Sequence, residues 1–486
     1  MEYIRKNIET TDAEKHVASD CGRRGFARTA IVCILFFPFL FSSCEDKLLD
    51  FPPQTQIEDG DIIISQSSAE KALVGVYASI RGISGTAILT YETAADNVIL
   101  NSLRTVVVPT LKADGGVTGG ADRTGGGGYG SYYALINRAN HVITAVNDLN
   151  SSLFSSGSKD KILAEAYVLR AFAYFDLART YANVPIVLTP STATNQLGIK
   201  KSLKADVLKQ VENDLDIAES KWNGNDWNVN KGRVSLWAIY AFKARLYLYQ
   251  ERWDDAEAYA SKLILNPELK LTNLEAGDNW YETRFSSEGI FEVACSSTEG
   301  NPVRSNFTIA AEGGLGDYIA NPDLADALND PNIGGKRSLY LKHEPSIAAW
   351  LIRIYNKSDR SSSVFLFRLA EQYLIRAEAR LKKANPDIAG AISDINEIKK
   401  RADVPLLDTP GTLSRDELLL ILEDENRYEF AFEGHRYPDI IRTGRAGVVF
   451  GALNPVYEDP RYWVVPIPTS DLKDDPDLEQ NGDGVY

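Results

Sequence analysis

The residues best placed to do chemistry cluster between Glu423 and Arg442. Glu423, Glu425, Arg427, Glu429, Glu433, Arg436, Asp439 and Arg442 alternate there with aromatic rings. Glu429 and Glu433 stand one helical turn apart, and a carboxylate pair is what glycoside hydrolysis uses. The interleaved arginines argue the other way. Each lowers the pKa of a neighbouring carboxylate, the wrong direction for a general acid. The run therefore reads as an ion-pair network tying a C-terminal helix to a scaffold. His435 is one of four histidines, and none has a second His or Cys at ligand spacing, so no zinc site is expected. Asp475, Asp477, Glu479 and Asp483 are rich in oxygen but lack the sixth-position glycine of a calcium loop. They read as a solvated tail. Gly115–Gly130 is glycine-rich without a Gly-Lys-Ser/Thr ending, which leaves a surface loop rather than a phosphate cradle. No catalytic residue, metal or cofactor is expected.

Binding without catalysis is a different matter. Sugar recognition needs flat aromatic faces with amides, carboxylates or arginines reaching hydroxyls. Such residues belong on loops. Trp280, Tyr281 and Arg284 lie together after Asp278-Asn279, and Tyr91, Asp96, Asn97 and Asn101 share an irregular early segment. Trp227 closes a short polar loop that begins after Trp222. These eight residues, Tyr91 to Arg284, are the candidate ligand contacts, with Trp280 the first choice of stacking platform. Cys295 sits in an apolar run and reads as a small core residue.

A scaffold must hold these loops. Its centre is Lys161–Pro185, KILAEAYVLRAFAYFDLARTYANVP, apolar or aromatic around most of its circumference. A helix of that kind has to be buried among other elements. Its five alanines between Ala164 and Ala178 allow close approach, and Asn183 and Pro185 supply the stop. Around it the pattern predicts helices at Ser67–Gly82, Tyr132–Leu149, Ser202–Trp222, Gly232–Gln250, Trp253–Leu265, Phe367–Lys383, Pro386–Arg401 and Ser414–Glu433. Tyr132–Leu149 is expected to pair with the central helix, and Ser202–Trp222 with Gly232–Gln250. Paired helices with alanines at close contacts match a tetratricopeptide pattern. Residues 266–364 interrupt it with Gly, Asn, Pro and short apolar runs, the composition of loops and short strands.

The chain has 486 residues and a formal net charge of −15. An acidic surface argues against nucleic acid, which demands a basic footprint. Residues 1–43 read as a secretory signal: Arg23, Arg24 and Arg28 precede the apolar run Ala30–Phe41, which is too short to span a bilayer. It ends in Leu40-Phe41-Ser42-Ser43-Cys44, which resembles a bacterial lipobox. Lipidation at Cys44 and a membrane anchor through that lipid follow. Removing the signal and acylating Cys44 leaves Cys295 as the one free thiol.

Six blocks in order resemble the SusD/RagB family of nutrient-binding outer-membrane lipoproteins. They are Tyr133-Ala-Leu-Ile136-Asn-Arg-Ala139-Asn140, Ala164–Pro185, Gly232-Arg233, Phe367–Ala379, Asn426–Arg442 and the ending VVPIPTSDLKDDPDLEQNGDGVY. Tyr437-Pro438 departs from the family's usual Trp-Phe, and Asp475-Pro476 from its Asn-Pro. The resemblance covers residues 44–486 as a single domain. It implies a mainly α fold, with four tetratricopeptide-like helix pairs carrying an irregular layer of loops and short strands. It implies a non-catalytic, lipid-anchored receptor on the outer membrane, facing the exterior. A glycan or oligopeptide would be its ligand, handed to a SusC-like TonB-dependent transporter. Two other readings stay open on the residues alone: a lipid-anchored glycoside hydrolase on helical repeats, and a tetratricopeptide scaffold that binds protein only.

Overall fold

The computed structural model describes residues 62–101, 105–106, 128–192, 198–222, 230–275, 279–408, 411–475 and 477–481. Cys44, Trp227, Asp483 and most of the glycine-rich stretch lie outside the described residues.

The first helix, α1 (Gln66–Ala94), starts at Ser65, whose side chain accepts from the Ser68 amide while the Ser68 hydroxyl reaches back to the Ser65 amide. This reciprocal cap satisfies two otherwise orphaned donors. The helix does not stop at Gly82 as expected. Its apolar stripe continues through Ile83, Ala87, Ile88, Tyr91 and Ala94, all buried. That burial outweighs the cost of about 1 kcal/mol for a glycine inside a helix. Gly85 is there for another reason: a Cβ on it would meet the Pro302 ring at 2.5 Å. The bare backbone lets the insert pack against α1.

Short strands β1 (Val98–Leu100) and β2 (Thr105–Val106) follow. Then come α2 (Tyr129–Asp148), α3 (Ser158–Tyr181), α4 (Lys204–Trp222), α5 (Leu236–Tyr249) and α6 (Trp253–Ile264). The insert contributes β3 (Gly289–Val293), α7 (Arg304–Phe307), β4 (Tyr318–Ala320), α8 (Pro322–Asn329), β5 (Leu341–Glu344) and β6 (Ala349–Ile352). The chain returns through β7 (Val364–Arg368), α9 (Leu369–Lys382), α10 (Ile388–Ala402), α11 (Arg415–Glu429), α12 (Arg436–Arg442), α13 (Ala446–Val449) and α14 (Thr469–Asp474).

Four pairs form the scaffold: α1 with α2, α3 with α4, α5 with α6, and α9 with α10. The array thus begins one helix earlier than the expected pairs. Contacts of α2 with α3, α4 with α5, and α6 with α9 join the pairs. The α6–α9 contact shows that the insert leaves the array and comes back to the same place. Loops and short strands fill it, as its composition predicts. β4 pairs antiparallel with β1, placing Leu100 opposite Tyr318, and β3 pairs antiparallel with β7. The insert is therefore hydrogen-bonded to both halves of the scaffold.

α3 is the centre of the core. All five alanines are buried, as are Leu163, Leu169, Phe172, Phe175 and Leu177. Phe172 and Phe175 meet Phe242 of α5 edge-on, at 6.2 and 5.4 Å between ring centroids. The polar residues of α3 are ties to its neighbours. Arg170 forks onto Asp214 of α4 at 2.6 and 2.8 Å and donates to Asn140 of α2 at 2.8 Å. Glu165 accepts from Tyr77 of α1 at 2.6 Å and from Arg233 at 2.8 Å. Charges this deep are tolerable only when bonded on every side. Cys295 is free and buried, the small core residue its surroundings suggest. The C-terminal segment is not merely solvated: Val465 donates to the Thr180 carbonyl at 2.8 Å and Asn481 to the Tyr181 carbonyl at 2.5 Å.

Replacing Phe172, only 4 % exposed, by alanine removes a ring from the densest part of this core. The expected loss is about 3–5 kcal/mol of unfolding free energy, read from chemical denaturation. An unchanged midpoint would place α3 at the periphery.

Candidate functional site

The carboxylates of the C-terminal run converge on one guanidinium. Arg368, at the end of β7, is 2 % exposed. It donates to Glu288 at 2.8 Å, to Glu429 at 2.5 Å, to both oxygens of Glu433 at 2.7 and 3.0 Å, and to the Glu429 carbonyl at 2.7 Å. Arg401 of α10 bonds Glu288 and Glu429, and Arg337 bonds Glu425 and Glu429. The ion-pair reading is the observed one. Burial alone would raise the Glu429 pKa, but Arg401, Arg368 and Arg337 outweigh it and hold the carboxyl well below the usual range. For Glu433 the balance reverses: burial pushes it up to about 7 against the pull of Arg368. Hydrolysis would require a sugar and a water between the two carboxyls. Here both are buried and bound to arginine.

The same network takes in three of the expected ligand contacts. Asp96 pairs with Arg436 and Arg427 at 3.0 Å each. Asn97 donates to Glu92 at 3.1 Å and accepts from Arg427 at 3.2 Å. Glu92, raised by burial to about 7, accepts the Gly434 amide at 2.7 Å. Tyr91 lies on α1, buried, with its hydroxyl 2.5 Å from that of Thr180. All three therefore face inward: Asp96 and Asn97 fasten the end of α1 to α11 and α12, and Tyr91 bonds α3. They are not on a binding loop.

Trp280 is also corrected. It is 1 % exposed and enclosed edge-on by Tyr281, Tyr340 and Phe365 at 5.5, 5.8 and 5.0 Å. The Arg368 guanidinium sits 4.4 Å from its ring centroid, a cation–π contact inside the core. Tyr281 is buried too and donates to the Leu274 carbonyl at 3.2 Å. The polar neighbours that made this stretch look like a loop are turn-formers: Asn279 accepts the Glu282 amide at 2.7 Å. Arg284 is exposed, but its guanidinium caps the Cys295 and Ser361 carbonyls. Asn101 keeps a half-exposed place at the layer's edge, where it donates to Gly316 at 3.1 Å beside Asp317.

A pair of aromatic rings stands elsewhere on the layer, on the β5–β6 hairpin. His343 and Trp350 are cross-strand partners there, with ring centroids 5.0 Å apart at 64°. His343 is exposed and Trp350 half-buried. Behind them, Ala349 and Leu351 pack against Ile99 of β1 and Ile319 of β4. A hairpin signal was available in the sequence: two apolar-bearing runs, Leu341–Glu344 and Ala349–Ile352, flank a Pro-Ser turn. By contrast, the groove of about 330 Å³ between α9, α11 and α12 is lined by Leu419, Leu422, Asn426, Arg442 and their neighbours and carries no aromatic ring.

A paired-helix array bearing a loop-and-strand layer defines the protein's class, a tetratricopeptide-like scaffold with a grafted surface. The chain belongs to the SusD family. The family model described as starch-binding, associating with the outer membrane, matches residues 49–248, and the SusD family model matches residues 352–484. The chain is 27% identical over 406 residues to a SusD-like protein of Formosa agariphila, covering 72% of this chain and 78% of the relative. It is 36% identical over 123 residues to the starch-binding protein SusD of Bacteroides thetaiotaomicron, covering 24% of this chain and 20% of the relative. A laminarin-binding SusD-like protein shares the fold at TM-score 0.68 and 20% identity, over 87% of this chain and all of its own.

The network's proton inventory is testable. Glu433 holds a proton up to about pH 7 when folded, and only to about 4.5 when unfolded. Its contribution to stability is complete below the unfolded value and is lost as pH rises through the folded one. Glu433→Gln should flatten the pH dependence of unfolding free energy between pH 5 and 7 by up to about 1 kcal/mol per unit. Parallel curves for variant and wild type would show that Glu433 is ionised throughout.

Proposed function

We propose that this protein is a non-catalytic glycan receptor of the outer membrane. Lipid on Cys44 anchors it, the layer beyond the scaffold captures glycan outside the cell, and a SusC-like TonB-dependent transporter receives the ligand. The observation that carries the reading is the fate of the carboxylates. The pair that could have served hydrolysis is bound to Arg368 in the interior, while the rings of His343 and half-buried Trp350 stand on the layer. Membership of the SusD family, and relatives named for starch and laminarin, support a polysaccharide as ligand.

Calorimetric titration against starch, laminarin, mannan and galactan should give saturable binding to at least one, with no release of reducing ends on long incubation. Detergent extracts should yield a TonB-dependent transporter with the tagged protein. Release of reducing ends that tracks the purified protein would contradict the reading.

A further inference from the structure

We propose that the β5–β6 hairpin is this protein's sugar platform, with Trp350 as the stacking ring, His343 as its hydroxyl-binding partner, and an uncharged polysaccharide as the ligand. The inference rests on the glycan-receptor reading above and goes on to name the surface and the ligand class.

Three observations carry it. The first is unused hydrogen-bonding capacity. Trp280 spends its indole N–H on the Tyr340 hydroxyl and Trp463 on the Tyr457 carbonyl. Among the described residues no partner meets the Trp350 N–H or either ring nitrogen of His343. An indole and an imidazole side by side, both unpaired, offer an apolar surface for the C–H patch of a pyranose. They also offer donors and an acceptor for its hydroxyls.

The second is rigidity. Register pairs His343 with Trp350 directly. The hairpin tip is closed by Ala348 donating to Pro345 at 3.2 Å and by Ser346 donating to Glu344 at 2.6 Å. Its other face is pinned by Leu351 and Ala349 against β1 and β4. A platform already held in place loses little freedom when a ligand docks.

The third is charge. Lys342 is paired with Glu312 at 2.6 Å and Arg353 with Glu282 at 2.8 Å. The carboxylate of Glu344, next to His343, accepts from Ser346 and has no cation among its hydrogen-bonded partners. The hairpin therefore holds no unpaired cation for a uronate or sulfate, and one carboxylate that repels them. The net charge of −15 works in the same direction. Trp237 and Trp253 stand at helix starts within the scaffold, away from the layer.

The test is titration of full-length wild type, Trp350→Ala, Trp350→Phe and His343→Ala with starch, laminarin, mannan and galactan, and with alginate as the acidic control. Thermal melts confirm folding. Trp350→Ala should weaken the neutral glycan by about tenfold or more, Trp350→Phe by less, and alginate should not bind. His343→Ala changes an exposed residue and should weaken binding without moving the melt. It carries the test if Trp350→Ala proves unstable. Folded variants binding like wild type would overturn the platform while leaving the receptor reading intact. Tight alginate binding would overturn the ligand class. Failure of wild type to bind any neutral glycan would overturn the receptor reading itself, and this inference with it.

Discussion

The structure depends on the guanidinium of Arg368. It lies at the junction of β7 and α9, where the insert rejoins the helical array, and it is closed in by Glu288, Glu429 and Glu433. Glu288 precedes β3 in the insert, while Glu429 ends α11 and Glu433 lies in the turn that follows. One side chain thus ties the layer, the returning half of the scaffold and the C-terminal helices together. A cation in the interior is tolerated only because every nitrogen meets an anion or a carbonyl. Arg401 and Arg337 add further ion pairs to Glu288, Glu425 and Glu429. Burial, with the neighbouring Glu429 and Glu288 charges adding to it, accounts for the proton Glu433 retains near neutrality.

A network of this kind determines what the protein does with its carboxylates. Glu429 and Glu433, the pair that could assist hydrolysis, are buried and bound to Arg368. Asp96 and Asn97 continue the pattern by fastening the end of α1 to Arg427 and Arg436. In the proposed receptor, recognition falls to the surface of the layer, where the β5–β6 hairpin packs on β1 and β4.

Much of the scaffold was legible in the sequence, because a helix apolar on all sides has only one place to go. Lys161–Tyr181 announced itself in that way. The run from Glu423 to Arg442 was legible as ion pairs because alternation of sign on a helix favours mutual neutralisation. The ligand contacts were not. Asn279 and Arg284 gave Trp280 the look of an exposed loop, and nothing local reveals that Phe365, 85 positions on, closes over it. Tyr91 was placed off the helix because Gly82 resembled a stop. Gly85 answers to Pro302, a contact formed only in the folded chain. The His343–Trp350 pair emerges from strand register, which a single-residue slip would abolish.

The most direct test of this account is denaturation of Arg368→Met. The substitution keeps an apolar stem of similar length and removes the shared cation, leaving buried carboxylates uncompensated. The account predicts a loss of about 3–5 kcal/mol, with insert and scaffold melting in one transition, monitored by hydrogen exchange in β3 and α11. A variant as stable as wild type, or one whose insert melts alone while the helices keep their full stability, would contradict it.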